Sequence, residues 1–277
     1  MVSGVEVAKL FIGDRKVIVS SRGRKNDRRS TTYKAGFGRP FYARPVVVVV
    51  NAGTASAAEI VAGAMRDHNR APLVGRKTYG KGSVQSLMGV KTTRDRSRIK
   101  LTVAKYYLPN GETIHEKGIE PDRKVPELDM AVAEAEARFK IRDQHDVQFW
   151  LEENNRFERY EGVYRGLLVF DDYEASRYPE FDSLYEALVA KYPKEKIDRE
   201  LVRKEIRYGI ASYLRDYKGE SEYVDLEDHP ALQEAVITLG DAIGGLPSTP
   251  LFASIRQTVM ENRAKVAEEE GDLAEGR

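Results

Sequence analysis

Cysteine is absent from the 277-residue sequence, and histidine and tryptophan are scarce, with four copies and one copy. Without cysteine the chain can form no disulfide, thiol nucleophile or cysteine-based metal site. No apolar run approaches the ~20 residues that span a bilayer. The N-terminus also lacks the basic start and small-residue cleavage site of a signal peptide. The sequence as given therefore predicts a soluble chain with no integral membrane segment.

Charge is almost balanced, with 45 Lys and Arg against 44 Asp and Glu. No whole-chain field therefore favours nucleic acid or acidic partners. One basic stretch, SRGRKNDRRSTTYKAGFGRP at residues 21–40, could be a nucleic-acid patch. Aromatic residues do not alternate with its basic residues to form a stacking surface. A solvated surface hairpin is the favoured interpretation, and we expect no nucleic-acid partner.

The first half of the chain has an α/β pattern. A valine run that follows Pro45 and ends at Val50 predicts a strand buried on both faces, typical of a parallel sheet. A turn at residues 51–54, a helix over 55–68 and a strand over 71–74 complete one βαβ unit. Alternation over residues 99–108 predicts a further, half-buried strand.

From about residue 127 the pattern changes to long helical stretches. Leu128, Val132, Ala135 and Phe139 keep the helical spacing, and Glu, Ala, Arg and Tyr are frequent up to the end. We therefore predict two domains, an α/β domain over residues 1–125 and a mostly α-helical region over 126–277. The helical region could form a homo-oligomer contact or dock a partner.

Ser56 occupies a favourable position for a nucleophile, in the turn between the valine strand and the next helix. Loops at the carboxyl ends of buried strands face a cleft in open α/β sheets. The first amides of a helix are unpaired, so the N–H of Ala57 could stabilise an oxyanion. The alternative is that Ser56, or its neighbour Thr54, is only a helix N-cap. The position alone leaves both possibilities open.

A nucleophilic serine needs a base, and the histidines offer no clear partner. His68 ends the helix that Ser56 begins, about 18 Å away at 1.5 Å per residue. His115 lies in a polar turn and is expected to be a surface residue. Lysine is the alternative base. Lys81 is notable because Gly80 and Gly82 flank it and permit unusual backbone angles. A lysine base must be neutral near pH 7, far below the ~10.4 pKa of a solvated amine, and burial can produce such a change.

The same loop permits a competing interpretation. Residues 75–81, GRKTYGK, match the G-x-x-x-x-G-K pattern of a phosphate-binding P-loop and follow a predicted strand. A P-loop continues with Ser or Thr and an opening helix. Gly82 occupies the Ser or Thr position, and the following SVQSLMGV has little helical character. Phosphate binding is therefore the weaker hypothesis.

Two stretches resemble the C-terminal processing peptidases, also called tail-specific proteases. They are NAGTASAAEIVAGAMRDHNRAPLVGRKTYGKGSVQS at residues 51–86 and KLTVAKYYLPNGETIHEKGIEPD at residues 100–122. The resemblance is dense over about residues 45–122 and thinner toward the N-terminus. Its specific part is a serine among small residues followed by T-[YF]-G-K-G-x-V-Q.

The resemblance implies a crotonase/ClpP-like protease core and a serine endopeptidase acting on polypeptides. It assigns Ser56 as the nucleophile, Lys81 as the general base and Gln85 as the residue that orients the lysine. The N–H of Ala57 would be one oxyanion donor. In a straight strand Lys81 and Gln85 would stand about 13 Å apart, so we expect the chain to bend after Gly82. No metal or cofactor is implied. Glu59 is interpreted as structural, since an acidic residue suits the first turn of a helix.

Members of this family usually begin with a helical region, a PDZ domain and an Asn-Pro-Gly-Gly-like turn that supplies the second oxyanion donor. The present sequence starts after that turn, so we expect it to be a fragment. A complete version is expected to carry an export signal. Two alternatives stay open: a catalytically incomplete scaffold that binds a partner, and a crotonase-like acyl-CoA enzyme that would not need the Ser/Lys pair.

Overall fold

The structure, a computed structural model, describes residues 2–23, 30–89, 97–126, 132–166, 178–219 and 229–275. These residues divide into two units, one of Met1–Pro126, Pro230–Ser248 and Ile255–Arg277, the other of Glu127–His229 and Thr249–Ser254. The elements are α1 (Val2–Lys9), β1 (Val17–Arg22), β2 (Thr31–Lys34), β3 (Val48–Val50), α2 (Ala57–Asp67), β4 (Leu73–Gly75), β5 (Ser83–Gly89), β6 (Arg98–Tyr107), β7 (Arg123–Lys124), α3 (Val132–Asp143), α4 (Asp146–Glu152), a 3-10 turn (Glu153–Asn155), α5 (Arg156–Gly166), α6 (Phe181–Lys191), α7 (Arg199–Lys218), α8 (Pro230–Ala242) and α9 (Pro250–Glu275).

The first unit contains a three-stranded parallel sheet in the order β3-β4-β7. β3 and β4 pair in parallel on either side of α2, so the predicted βαβ unit is confirmed. The prediction that β3 is buried on both faces is wrong, because the strand has only three residues and Val49 is 41% exposed. The reason lies in the strand order, which places β3 at an edge of the described sheet.

A second sheet in the same unit is antiparallel, with the order β2-β1-β6-β5. β1 and β2 pair as a hairpin, with Ser20 opposite Thr32. The hairpin expected for the basic stretch is therefore present, although residues 24–29 of its loop lie outside the described residues. The half-buried strand predicted for residues 99–108 is β6, which is buried mainly near its end at Tyr106.

Helices close the core of this unit. α1 packs on α2 so closely that a Cβ on Gly4 would lie 2.6 Å from the carbonyl oxygen of Ala57. α8 packs against β3 and β4, although it lies more than a hundred residues further along the chain. Ile18, Ile60 and Leu73 are completely buried in the core of this unit. Burial of such side chains stabilises the fold by about 1.5–3 kcal/mol each.

The second unit is helical and has its own apolar core. Leu151, Val202 and Ile206 are among its completely buried residues. The buried carboxylate of Glu205 binds the guanidinium groups of Arg138 and Arg142, which lie on α3. Removing a charged partner from such a buried group is costly, so these ion pairs fix α3 against α7.

The described chain is thus a mixture of helices and two sheets, as predicted at this level. No helix among the described residues has both the length and the apolar character needed to cross a membrane. The division into domains at about residue 125 stays a prediction. Within the described structure, residues 230–248 and 255–275 group with the first unit.

Candidate active site around Ser56 and Lys81

Ser56 lies in a strained turn between β3 and α2. The turn is fixed by Asn51, whose side-chain oxygen accepts the N–H of Gly53 at 2.9 Å, and by Thr54, whose hydroxyl accepts the N–H of Asn51 at 3.0 Å. Ser56 itself has φ 57° and ψ −112°, a conformation that residues other than glycine rarely adopt. Such strain costs about 1–3 kcal/mol and is typical of functional sites. A strained serine between a strand and a helix is also the geometry of a nucleophile elbow.

Glu59 links this turn to the loop that carries Lys81. Its side chain is completely buried. The Oε2 atom accepts the backbone N–H of Ser56 at 2.9 Å and that of Lys81 at 2.8 Å. The Oε1 atom accepts the N–H of Gly80 at 2.7 Å and the hydroxyl of Thr78 at 2.5 Å. Since both donors to Oε2 are backbone groups, the main-chain nitrogens of Ser56 and Lys81 lie at most about 5.7 Å apart.

The role of Glu59 exceeds what the sequence interpretation assigned to it. Glu59 was expected only to suit the first turn of its helix, whereas it joins two loops. The pattern Ser56-x-x-Glu59 is a capping-box signature, and it could have indicated the bond to Ser56 N–H. No local pattern indicates the bonds to Gly80 and Lys81, because they join residues more than twenty positions apart.

The loop around Lys81 requires its two glycines. Gly80 has φ +89°, and a Cβ there would lie 2.8 Å from the nitrogen of Gly118. A Cβ on Gly82 would lie 2.5 Å from the nitrogen of His115. The N–H of Gly82 donates to the carbonyl of Gly80 at 3.1 Å, which makes a tight turn centred on Lys81. The chain therefore bends at Lys81 itself, one residue earlier than the sequence analysis expected.

The side chains of the three predicted residues are not joined by hydrogen bonds in the described structure. Ser56 is half-buried, whereas Lys81 and Gln85 are exposed. Gln85 lies in β5, next to an irregularity in its pairing with β6 between Val84 and Gln85. Ala57 is the first residue of α2, where an α-helix leaves the N–H without an intrahelical acceptor. The backbone thus brings Ser56 and Lys81 together, while Gln85 follows on the adjoining strand.

Two histidines considered as bases have other positions. The Nε2 atom of His68 lies 2.7 Å from the carbonyl oxygen of Val17, at the far end of α2. His115 is half-buried rather than on the surface, next to the backbone of Gly82. Its Nδ1 atom is buried and has no hydrogen-bond partner among the described residues.

The remaining features of the loop exclude a P-loop. After Lys81 the chain enters strand β5, not a helix, so no helix N-terminus follows this loop to face a phosphate.

Tyr106 on β6 donates its N–H to the carbonyl of Gly82 at 2.8 Å and so anchors the loop to the sheet. Burial, and secondarily the nearby Tyr33, raises the pKa of Tyr106. Among the residues that the structure describes, no group of three or more His, Asp or Glu could hold a metal ion.

The first part of the chain is similar to known carboxyl-terminal processing proteases. Residues 1–125 match the model of peptidase family S41. A carboxyl-terminal-processing protease of Synechocystis sp. is 41% identical over 147 residues, which are 53% of this chain and 31% of that protein. The carboxy-terminal processing protease CtpA of Bacillus subtilis is 50% identical over 88 residues, 32% of this chain and 18% of that protein.

A similar solved structure is that of the photosystem II D1 C-terminal processing protease, with 36% identity and a TM-score of 0.40. The match covers 44% of this chain and 30% of that structure. The chain therefore spans a third or less of the length of these relatives.

Proposed function

Residues 1–125 belong to peptidase family S41, and from this premise we propose that the protein is a serine endopeptidase that cleaves polypeptides near or from their C-termini. Ser56 is the nucleophile, Lys81 the general base and Gln85 the residue that orients the lysine. The observation that carries the proposal is a pair of hydrogen bonds to the carboxylate of Glu59. Its Oε2 atom accepts the backbone N–H of Ser56, which has a strained conformation, and the backbone N–H of Lys81.

The reaction proceeds through an acyl-enzyme. The neutral amine of Lys81 accepts the proton of Ser56 as its Oγ bonds to the scissile carbonyl carbon. The N–H of Ala57 donates to the resulting oxyanion. The ammonium of Lys81 then protonates the leaving amine as the peptide C–N bond breaks. A water, deprotonated by Lys81, then attacks the ester carbon, and the ammonium of Lys81 returns the proton to Oγ as the ester bond breaks, which releases the carboxyl product and restores Ser56 and the neutral lysine.

The described turn before α2 supports the proposed role of Ser56. A serine at positive φ, immediately before a helix, presents its hydroxyl and the first helix N–H toward the same space. Oxyanion donors of this kind contribute about 3–4 kcal/mol to transition-state stabilisation when preorganised. The crotonase/ClpP-like form of the core and the division of the chain near residue 125 belong to this proposal. Polypeptide is the proposed substrate class, and no cofactor takes part in the proposed steps.

The proposal is tested by labelling the purified chain with a fluorophosphonate probe between pH 6 and pH 10. We expect modification at Ser56, located by peptide mapping, that is lost in Ser56→Ala and in Lys81→Ala. The matched control is Lys77→Ala, which removes an exposed lysine of the same loop that pairs with Glu120 at 2.9 Å. Labelling that persists at full rate in Lys81→Ala would contradict the proposed dyad.

A second candidate function is a catalytically incomplete module that binds a partner. It is favoured by the exposure of Lys81 and Gln85 and by the lack of a hydrogen bond from either side chain to Ser56 in the described structure. Under this alternative, Ser56 is not labelled by the probe at any pH. A stable complex with a polypeptide partner then forms equally well with Ser56→Ala.

A further inference from the structure

Strand β5 forms an open edge of the antiparallel sheet. It is the last strand in the order β2-β1-β6-β5 within the described part of the chain. Its sequence, Ser83–Gly89 (SVQSLMG), contains no charged residue and no proline. Natural sheets usually protect such edges with lysine, proline or a covering element, because an open edge pairs with other strands. Within the described residues, β5 has one pairing irregularity and contains neither lysine nor proline.

The two faces of the β5–β6 hairpin differ in chemistry. Successive residues of a strand point to opposite faces. Met88 lies opposite Ile99, and Leu101 lies on the same face, opposite Ser86. These three apolar side chains are 42–49% exposed. They form what we call the apolar face of the hairpin.

The other face, which we call the cationic face, carries two basic residues together with Leu87, which is 63% exposed. It carries Lys100 opposite Leu87, and Arg98 opposite Gly89. Both basic residues are exposed. Residues 80–89 and 97–111, the described parts of this segment, contain no Asp or Glu. A strand added beside β5 would therefore place alternate side chains against an apolar face and a cationic face.

We propose that the free edge of β5 binds an extended polypeptide segment as an additional strand, with apolar side chains on the apolar face and acidic side chains beside Arg98 and Lys100. The backbone groups of the segment pair with β5, and opposite charges across strands add stability. The inference rests on the proposed function, because the bound segment is part of the polypeptide substrate. β5 begins two residues after Lys81 and contains Gln85, so the segment lies in continuity with the proposed catalytic residues.

The test uses the full chain carrying Ser56→Ala, so that peptide binding is measured without cleavage. The probes are two fluorescent eight-residue peptides, one alternating Val and Glu, the other alternating Val and Lys. We expect the Val/Glu peptide to bind at least ~10-fold more tightly than the Val/Lys peptide, as measured by fluorescence anisotropy. The reason is that Glu side chains attract Arg98 and Lys100 across the strands, whereas Lys side chains repel them. Met88→Lys should weaken this binding by a similar factor. Met260→Lys, which changes an exposed methionine on α9, is the matched control and should not.

Backbone pairing is tested separately with two N-methylated forms of the Val/Glu peptide. One is methylated at odd positions and the other at even positions, so only one form retains the N–H groups on the edge that faces β5. We expect one form to bind like the parent peptide and the other to lose binding. Equal binding of both forms would overturn the proposal. So would a dimer of the Ser56→Ala chain that Met88→Lys dissociates, because a second copy would then occupy the edge.

Failure of this inference is distinguishable from failure of the proposed function. Probe labelling of Ser56 does not require peptide binding at β5. Labelling without peptide binding would overturn the β5 site alone. Peptide binding with the expected N-methyl pattern, but without labelling, would support the β5 site and overturn the peptidase proposal.

Discussion

The backbone N–H groups of Ser56 and Lys81 share one acceptor, the Oε2 atom of Glu59, at 2.9 and 2.8 Å. The two residues are 25 positions apart in the sequence, and β4 lies between them. A single buried side chain thus sets the separation of two main-chain segments. Any change in this carboxylate is expected to alter both the stability of the first unit and the reactivity of Ser56.

Replacing Glu59 by Gln should destabilise the protein by about 2–6 kcal/mol. Glutamine keeps one acceptor oxygen, so two of the four donors lose their partner, and each buried unpaired donor costs about 1–3 kcal/mol. The free energy of unfolding is measured by urea titration, and probe labelling of Ser56 is measured at zero denaturant. Glu120→Gln, at an exposed surface pair with Lys77, should change stability by less than about 0.5 kcal/mol. Equal stability of both variants would contradict the role of Glu59.

Replacing Gly80 by Ala should be more harmful than the same change at Gly111. Both glycines have positive φ, +89° and +87°, but only Gly80 is enclosed, since a Cβ added there would lie 2.8 Å from the nitrogen of Gly118. The backbone strain of about 1 kcal/mol is common to both variants, whereas the clash is specific to Gly80→Ala. We expect Gly80→Ala to lose labelling at Ser56 and Gly111→Ala to keep it. Identical unfolding and labelling in the two variants would count against the packing of this loop.

The phenol of Tyr106 should contribute to alkaline unfolding. Burial raises its pKa in the folded state, so the unfolded chain loses this proton first as the pH rises above ~10. The unfolded state then binds fewer protons, and the free energy of unfolding falls with pH. Below pH ~9 the phenol of Tyr106 is protonated in both the folded and the unfolded state, so it does not change the free energy of unfolding with pH.

Urea unfolding between pH 8 and pH 11 measures this slope. Tyr106→Phe should show a shallower alkaline decline than the wild type. Tyr79→Phe, which removes an exposed hydroxyl, is the control and should retain the wild-type slope. A Tyr106→Phe profile parallel to the wild type would refute the prediction.

Removing Arg263 should destabilise the first unit. Its guanidinium binds the buried carboxylate of Glu234 through Nε at 2.9 Å and Nη2 at 2.7 Å. Without it, the partner that Glu234 keeps within the described part of the chain is the hydroxyl of Thr238, at 3.2 Å. We expect Arg263→Met to cost about 2–3 kcal/mol in urea unfolding, a value reduced from that of a fully buried pair because Arg263 is partly exposed.

The control for this prediction is Arg256→Met, an exposed arginine on the same helix. It should be nearly neutral. Adding Glu234→Gln to Arg263→Met should restore part of the lost stability, because the buried charge is then gone. No restoration in the double variant would argue that Arg263 acts through packing alone.

Local sequence patterns predicted the elements that carry the candidate site, but not how these elements are arranged. The valine run, the Ser56 turn and the glycines around Lys81 are local signals, and a strand, a helix and a bend appear close to the places that they indicate. The strand β3 is shorter than the valine run, and the bend is centred on Lys81 rather than after Gly82. The exposure of Val49 and of the hairpin face around Met88 depends on strand order, which no local pattern contains. The bonds of Glu59 to Gly80 and Lys81 were not predicted either, because they join residues more than twenty positions apart and no local pattern indicates them. The roles of Ser56, Lys81, Gln85 and Ala57 stay predictions.

The packing of α8 on β3 and β4 has a consequence for the order of events during synthesis. Residues 48–75 leave the ribosome long before residues 230–242, which complete their packing. Chain elongation at ~5–20 residues per second leaves that surface uncovered for on the order of ten seconds or longer. The nascent parallel sheet is therefore expected to expose apolar residues to chaperones until α8 has left the ribosome, and premature termination before α8 is expected to yield a product prone to aggregation.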